Sequence, residues 1–303
     1  MNQPFRFLHP FIDNVIELNR NEKYAVIIGA NPSKGARSPM LWNLAYEQYQ
    51  MGIKMYPFDV SRKNLHSLLA YLEDTPEFLG GAIAVPFKED VAKWLGKRLS
   101  SEALNIGAVN CIAKNDKGKL WGYNTDGQAS LEVFEKKFAP LSFGSILILG
   151  SGGSAKAVSA FFRKAIKSSD SISIASRSLN GRTYAQKIGA NWVRWEDVPS
   201  LLPNVNILIN CTTVGHGDFV NESPLSYEDL LLLPRDSIVY DIIYQPSPSL
   251  LLQYALNQNL SILDGTAMNL SQAVIAFCYV NRGKKISKAR TELSMLKFIS
   301  KNI

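Results

Sequence analysis

Cysteine and histidine are scarce, with three of each among 303 residues. Cys111, Cys211 and Cys278 lie far apart without a C-x-x-C spacing, which excludes a disulfide framework and points to a reducing, cytoplasmic setting. His9, His66 and His216 are equally scattered, and no H-E-x-x-H or other metal-ligand spacing occurs, so no metal site is expected. No apolar run reaches the ~18–20 residues of a membrane span. The start of the chain is polar and broken by Pro4 and Pro10, unlike a secretory signal. Charge of one sign is only in modest excess: 33 Lys and Arg stand against 26 Asp and Glu, a net charge of +7. The surplus is not gathered in one run and no basic stretch interleaves with aromatics, so it reads as solvated surface and not as a nucleic-acid face. Residues 282–290, rich in Lys and Arg, are expected on the polar side of a C-terminal helix. The remainder is ordinary globular material: 46% hydrophobic residues supply ample surface for a core. The length suits two domains of ~100–200 residues each.

Strand-like apolar runs alternate with helical patterns almost throughout. Tyr24–Gly29 reads YAVIIG, a short buried strand ending at a glycine; Ser38 then offers an N-cap with Pro39 as first helical residue. Strands are expected at 53–57 and 81–85, and helices from Ser61 and over 89–95. Strands at 109–113 and 120–123 flank Asn115-Asp116-Lys117-Gly118, a hairpin signal that predicts an antiparallel edge on an otherwise parallel sheet. A second series follows: strands at 145–149, 171–175, 206–210 and 237–241, and helices at about 154–167, up to Ile188, at 250–257 and at 270–280. Such alternation predicts α/β architecture, with two mostly parallel sheets covered by helices and a break near Thr125–Asp126.

The segment SILILGSGGSAKAV carries the sharpest local motif: a buried strand, then Gly150-Ser151-Gly152-Gly153-Ser154-Ala155, then a helix. This is G-x-G-x-x-A in its required strand–turn–helix context. Gly150 permits the tight turn, Gly152 lets the backbone approach a pyrophosphate, and the helix directs its free N–H groups at that anion. The competing reading is a Gly-rich turn that binds nothing. The next strand runs into Ser176-Arg177-Ser178, with Arg182 nearby and no acid. NAD binders usually place Asp or Glu there for the ribose 2′-hydroxyl, whereas a guanidinium suits a 2′-phosphate, so NADP is the expected cofactor. Alternatively, Arg177 is an ordinary solvated loop arginine.

The N-terminal half carries VPFKED (85–90), IGAVN (106–110) and GYNTDG (122–127). Beyond the Gly-rich turn come ILINCTTVG (207–215), YDIIYQPSPS (240–249) and DGTAMNLSQA (264–273). In this order the set resembles the shikimate dehydrogenase family over about residues 24–282. The resemblance implies a two-domain fold, with residues 1–125 and 265–303 as an α/β substrate domain and 126–264 as a Rossmann-type NADP domain, the substrate lying in the cleft between them. It implies Lys88 as catalytic lysine and Asp126 as its partner aspartate. Ser38, Asn110, Tyr244 and Gln272 match substrate-site positions. Thr212, Gly215, Gly265 and Met268 match positions around the nicotinamide end of the cofactor. The implied partner is a small carbocyclic substrate in aromatic amino-acid biosynthesis, with no nucleic acid and no membrane, for a monomer or homodimer.

Elementary chemistry agrees with those roles. Reducing a ketone needs a hydride donor and a proton donor near the oxygen. An ammonium can stabilise a developing alkoxide and supply its proton, and Asp126 would hold and tune it. Without the resemblance, Lys88 reads first as a surface lysine opening a helix, and Asp126 can equally be an N-cap for a helix from Gly127. The departures from the family pattern fall on the substrate side. Gly35-Ala36-Arg37-Ser38-Pro39 has Ala36 where the family has the first of two serines, and Ala82 and Ala84 stand where it has Asn and Thr. Arg37 offers a compensating cation for a carboxylate. The expected activity is NADPH-dependent reduction of 3-dehydroshikimate. The alternatives are dehydrogenation of quinate, an aminoshikimate-type compound or another cyclitol, and, from a different class, a non-catalytic NADPH-binding sensor. The ~20 residues before Tyr24 exceed the family's usual start and either cover the first domain or serve a dimer.

Overall fold

The computed structural model describes residues 5–7, 10–18, 21–138, 144–166 and 172–299. The chain divides into two compact units, Met1–Thr125 with Leu270–Ile303, and Asp126–Asn269.

In the first unit Phe5–Phe7 (β1) and Ile16–Leu18 (β2) form a separate antiparallel pair. The main sheet contains Tyr24–Gly29 (β3), Lys54–Asp59 (β4), Phe78–Ile83 (β5), Cys111–Lys114 (β6) and Leu120–Tyr123 (β7), ordered β4-β3-β5-β6-β7. β3 is parallel to both neighbours, while β6 is antiparallel to β5 and to β7. The hairpin therefore reverses one strand only, and β7 at the rim runs with the parallel set. Its turn closes on Asn115, whose side-chain oxygen accepts from the N–H groups of Lys117 and Lys119.

All six residues of β3 are buried because helices cover both faces. Tyr24, Val26 and Ile28 enter a core with Leu65, Leu68 and Leu72 of the helix Leu65–Asp74 and Val91 and Leu95 of the helix Lys88–Leu95. Ala25 and Ile27 enter the opposite core with Leu41, Trp42 and Tyr46 of the helix Ser38–Gln48, Phe277 of Thr266–Val280 and Met295 of Lys288–Ile299. Each large side chain so buried contributes roughly 1.5–3 kcal/mol.

Three local expectations need correction. Ser38 is the first helical residue and makes no side-chain cap, because Arg37 before it is already in the right-handed helical region and occupies the cap position. Residues 282–290 are not one helical face: Gly283, at φ +82, breaks the chain after Val280, and a helix resumes only at Lys288. Arg282 instead turns to the sheet edge, donating to the Tyr123 hydroxyl at 2.7 Å and the Lys114 carbonyl at 3.0 Å. The C-terminal helix bearing Gln272 starts at Thr266, four residues earlier than expected. Residues 10–18, before Tyr24, pack on the first unit. Ile12 and Ile16 enter its core, and the Asn14 side chain accepts from Asp59 N–H at 2.8 Å and donates to the Pro57 carbonyl at 3.0 Å. His9 and part of this segment lie outside the described residues.

The second unit contains Ile146–Leu149 (β8), Ile172–Ser176 (β9), Asn191–Arg194 (β10), Ile207–Asn210 (β11), Ile238–Asp241 (β12) and Ser261–Leu263 (β13). All are parallel, in the order β10-β9-β8-β11-β12-β13. The order reverses between β8 and β11, which is where an open α/β sheet forms a ligand-binding crevice. Leu147, Leu149, Leu208 and Val239 pack with Leu251 and Leu252 on one face. Alternation along β12 turns Tyr240 to the other, where Phe134 lies 6.4 Å from it and 5.4 Å from Phe162. The expected limits of helix and strand at Lys167 and Ser171 lie outside the described residues. β10 was not expected: as an edge strand with both end residues exposed, it carries no apolar run.

Candidate functional site

In the first unit Lys88 follows β5, Asn110 leads into β6, Ser38 opens a helix after β3, and Gln272 lies on the helix Thr266–Val280. Asn110 immediately precedes β6 and is 3% exposed. Its Oδ1 accepts from Thr125 N–H at 2.8 Å, and its Nδ2 donates to Thr125 Oγ1 at 2.9 Å and to Gln272 Oε1 at 3.4 Å. Thr125 Oγ1 in turn donates to the Gln272 carbonyl at 3.1 Å. Three distant stretches of sequence, GAVN, NTDG and NLSQA, are thereby tied at their polar ends. Lys88 is the first residue of its helix, and its carbonyl accepts from Val109 N–H at 2.9 Å, so its backbone is fixed to the same neighbourhood. The Asn110 carbonyl accepts from Ile83 N–H at 2.8 Å, placing the end of β5 alongside.

The three alanines are all apolar in context. Ala82 belongs to the core that holds Trp42, Tyr123, Leu270 and Phe277, and Ala36 and Ala84 pack against it half-buried. Ser38 is buried at the start of the same core's helix, beside half-buried Arg37.

In the second unit Gly150 leaves β8 at φ +107, and a side chain there would meet the Cys211 carbonyl at 3.2 Å. Its N–H donates to the Ala175 carbonyl at 2.8 Å, so the turn is held between the ends of β9 and β11. Gly152 faces open space and caps the helix Gly153–Ala165, whose first turn includes Ser154 and buried Ala155. Ser151 precedes that cap. A glycine turn that leads into a helix N-terminus fits the pyrophosphate of a dinucleotide. At the end of β9 the Ser176 hydroxyl donates to the Ser178 carbonyl at 2.8 Å and accepts from Trp192 Nε1–H at 2.9 Å. Ser176 thus shapes the turn, while Arg177 and Ser178 are exposed, with Arg182 on the next helix also exposed. This cationic donor set without a carboxylate fits a ribose 2′-phosphate.

Thr212 and Gly215 lie on the loop after β11, Tyr244 on the loop after β12, Gly265 just beyond β13, and Met268 in the helix Thr266–Val280, all in this unit. Gly265 donates to the Ile243 carbonyl at 2.9 Å, and any side chain there would collide with the Ile242 carbonyl at 2.0 Å. Gly215, at φ +102, lies against Ile243. Tyr244 is half-buried against the His216 ring, 6.0 Å between centroids, and His216 Nδ1 is 2.7 Å from the Gln245 carbonyl. Asp126 opens the helix Asp126–Phe138 and is 5% exposed. Tyr244 and Asp126 therefore sit in the second unit, whereas Lys88, Ser38, Asn110 and Gln272 sit in the first.

Thr125, His216, Asn210 and Asp241 were not singled out from sequence. Thr125, Asn210 and Asp241 share a signal that was available: each is a polar residue at or just beyond the carboxyl end of a buried strand, where ligands bind in such sheets. Burial raises the Asp241 carboxyl from 3.8 to about 6, against the lowering pull of its bonds from Ser249, Ile243 and Asn210. A carboxyl raised on folding contributes stability in its neutral form; that contribution is full below the unfolded value and lost as pH rises through about 6. Asp241→Asn cannot ionise, so its Tm relative to the parent should rise between about pH 4 and pH 7. A difference that stays flat over that window in calorimetry refutes the assignment.

A doubly wound sheet with an anion-binding turn at its switch point defines a dinucleotide-binding α/β protein. Among the described residues no group of three or more His, Cys, Asp or Glu is arranged to hold a metal, and no helix is long and apolar enough to cross a membrane. The family model described as shikimate dehydrogenase substrate binding domain matches residues 27–112. A shikimate dehydrogenase (NADP(+)) of Thermosynechococcus vestitus is 31% identical over 84% of this chain and 88% of its own length. Its namesake in Pyrococcus furiosus is 32% identical over 86% and 90%. The crystal structure of the Thermus thermophilus enzyme with NADP(H) and shikimate superposes with a TM-score of 0.75 at 25% identity, covering 91% of this chain and 99% of that one. The chain belongs to the shikimate dehydrogenase family.

Proposed function

We propose that the protein is an NADP-dependent dehydrogenase that reduces the ketone of 3-dehydroshikimate to the alcohol of shikimate, and reverses that step. The observation that carries this is the likeness over 86% of the chain to an NADP(+) shikimate dehydrogenase. The polar cluster at Asn110 and the cationic turn at Arg177 support it. NADPH, when bound, supplies the hydride. Lys88 delivers a proton to the carbonyl oxygen and stabilises its developing charge, with Asp126 as the carboxylate of the pair. Asn110 and Gln272 hold ring hydroxyls, fixed in rotamer by Thr125, and Ser38 meets the carboxylate. Tyr244 completes the substrate contacts. Gly150, Ser151, Gly152, Gly153, Ser154 and Ala155 cradle the pyrophosphate, Arg177 and Ser178 take the 2′-phosphate on the turn that Ser176 shapes, and Thr212, Gly215, Gly265 and Met268 surround the nicotinamide. On this reading residues 1–125 and the C-terminal helices form the substrate domain, the remainder forms the NADP domain, and the protein works in the cytoplasm as a monomer or homodimer. Oxidation of shikimate by NADP⁺, followed by absorbance of the reduced cofactor, tests it; no turnover of any ring acid would sink it.

The three apolar positions favour a second reading in which the ring differs. Ala36, Ala82 and Ala84 sit in or against a hydrophobic core, where a polar ring substituent finds no partner. Quinate, aminoshikimate-type acids and other cyclitols belong in the same assay panel. If shikimate is the substrate, the joint change Ala36→Ser, Ala82→Asn and Ala84→Thr should lower its KM with kcat little altered, the mark of restored uniform binding. If another ring is native, the triple change should lower kcat/KM for that compound, because the new polar groups would be buried without partners. A low micromolar KM of the parent for shikimate decides for the first.

A further inference from the structure

β11 and β12 are parallel neighbours whose last residues, Asn210 and Asp241, stand in register, and both are fully buried. Each side chain shapes the loop that follows its own strand. Asn210 Oδ1 accepts from Thr212 N–H at 3.0 Å and Thr212 Oγ1–H at 2.8 Å, its Nδ2 donates to the Val214 carbonyl at 3.3 Å, and Val214 N–H donates to Thr212 Oγ1 at 3.1 Å. Asp241 Oδ1 accepts from Ile243 N–H at 3.0 Å and its Oδ2 from Ser249 Oγ–H at 2.6 Å, which fastens both ends of the loop 242–249. The two side chains then join: Asn210 Nδ2 donates to Asp241 Oδ1 at 3.1 Å.

We propose that Asn210 and Asp241 are a positioning pair that locks the loops 211–215 and 242–249 to each other and so fixes where the nicotinamide end of the dinucleotide rests. This rests on the functional reading above, since Thr212, Gly215 and Tyr244 ride on those loops. Strand pairing alone does not require such a pair. An apolar pair would fill the same buried space without desolvating a carboxylate, whose donors here are all neutral. The bonds that the pair makes go to loop atoms, and the one bond between the two side chains spans the two loops. Neither residue touches the reacting atoms; both act through Thr212 and Ile243. Hydride transfer is steep in geometry, and a misplacement of ~1 Å can cost ~10²-fold in rate.

The test uses the full chain and two variants, Asn210→Leu/Asp241→Leu, which keeps the branched side-chain shape without polar atoms, and Asn210→Ala. The first readout is amide hydrogen exchange without cofactor. Asn210→Ala should speed exchange at Ile243, in the other strand's loop, by ~10-fold, the loss of a hydrogen bond worth about 1.4 kcal/mol, while Leu147 and Ile148 of β8 stay unchanged. The second is kinetic. The double variant should retain the parent's Kd for NADP⁺ within ~3-fold while kcat falls ~10–10²-fold, and 4-deuterated NADPH should give a larger isotope effect than in the parent. Exchange that rises only in 211–215, or uniformly through the sheet, overturns the coupling. An unchanged kcat with a lowered Tm shows a structural role only and also overturns it. A parent that binds NADP⁺ but turns over no ring acid defeats the functional reading instead, and the exchange result still decides the pair.

Discussion

Lys88→Ala should turn over ~10²–10⁴-fold more slowly than the parent, the range that a positioned general acid contributes. NADPH binding should barely change, because Lys88 belongs to the first unit and the glycine turn to the second. The variant should also fold normally. The helix Lys88–Leu95 starts from backbone bonds, among them Val109 N–H to the Lys88 carbonyl at 2.9 Å, and alanine is a good helix former. The loss therefore appears in kcat and not in Tm. If Lys88 and Asp126 act as a unit, Lys88→Ala/Asp126→Asn should lose little more than the worse single variant. An active Lys88→Ala enzyme would reassign the acid to Asp126 or a water. A parent that binds NADPH and never turns over would make the protein a sensor.

Arg177→Ala should weaken NADPH binding ~10–10²-fold, as a charge-assisted hydrogen bond worth about 1.5–3 kcal/mol does, and leave NADH binding where it was. The asymmetry follows from the end of β9. Residues 176–182 contain no acid, the Ser176 hydroxyl is already engaged by Trp192 and the Ser178 carbonyl, and the exposed guanidinium is left to meet a phosphate. Because the arginine is exposed, the parent's preference should shrink as salt rises. Equal dissociation constants for the two cofactors in the parent, measured by calorimetry, would falsify the assignment.

What was legible in the sequence was whatever a local pattern encodes. YAVIIG and ILIL are buried on both faces, so apolar runs alone reveal β3 and β8. The turn at Gly150 and the hairpin at Asn115 are specified by residues a few positions apart. Less legible were elements defined by partners far away. β10 is recognisable only by pairing with β9, and Ser38 misleads because the cap is decided by the φ and ψ of Arg37. The same holds for the site. Lys88 and the glycines stand in recognisable strings, but Thr125 matters because Asn110 and Gln272 reach it from 15 and 147 positions away. Asn210 and Asp241 are 31 apart and meet only because β8 and β12 flank β11. Long-range polar bonding leaves no periodicity to read.

The discontinuity of the first unit has a consequence for how the chain is made. One face of its sheet, carrying Ala25 and Ile27, is covered partly by Leu270, Phe277, Val280 and Met295. A ribosome delivers those residues only after the whole of Asp126–Asn269 has emerged. The second unit is continuous and closes its six-stranded sheet from residues already present, so it is the first able to finish folding, although it is encoded second. Until then the nascent first unit presents an apolar face that its own sequence cannot yet cover, a natural landing place for a chaperone. A chain stopped at residue 269 would carry that exposure permanently.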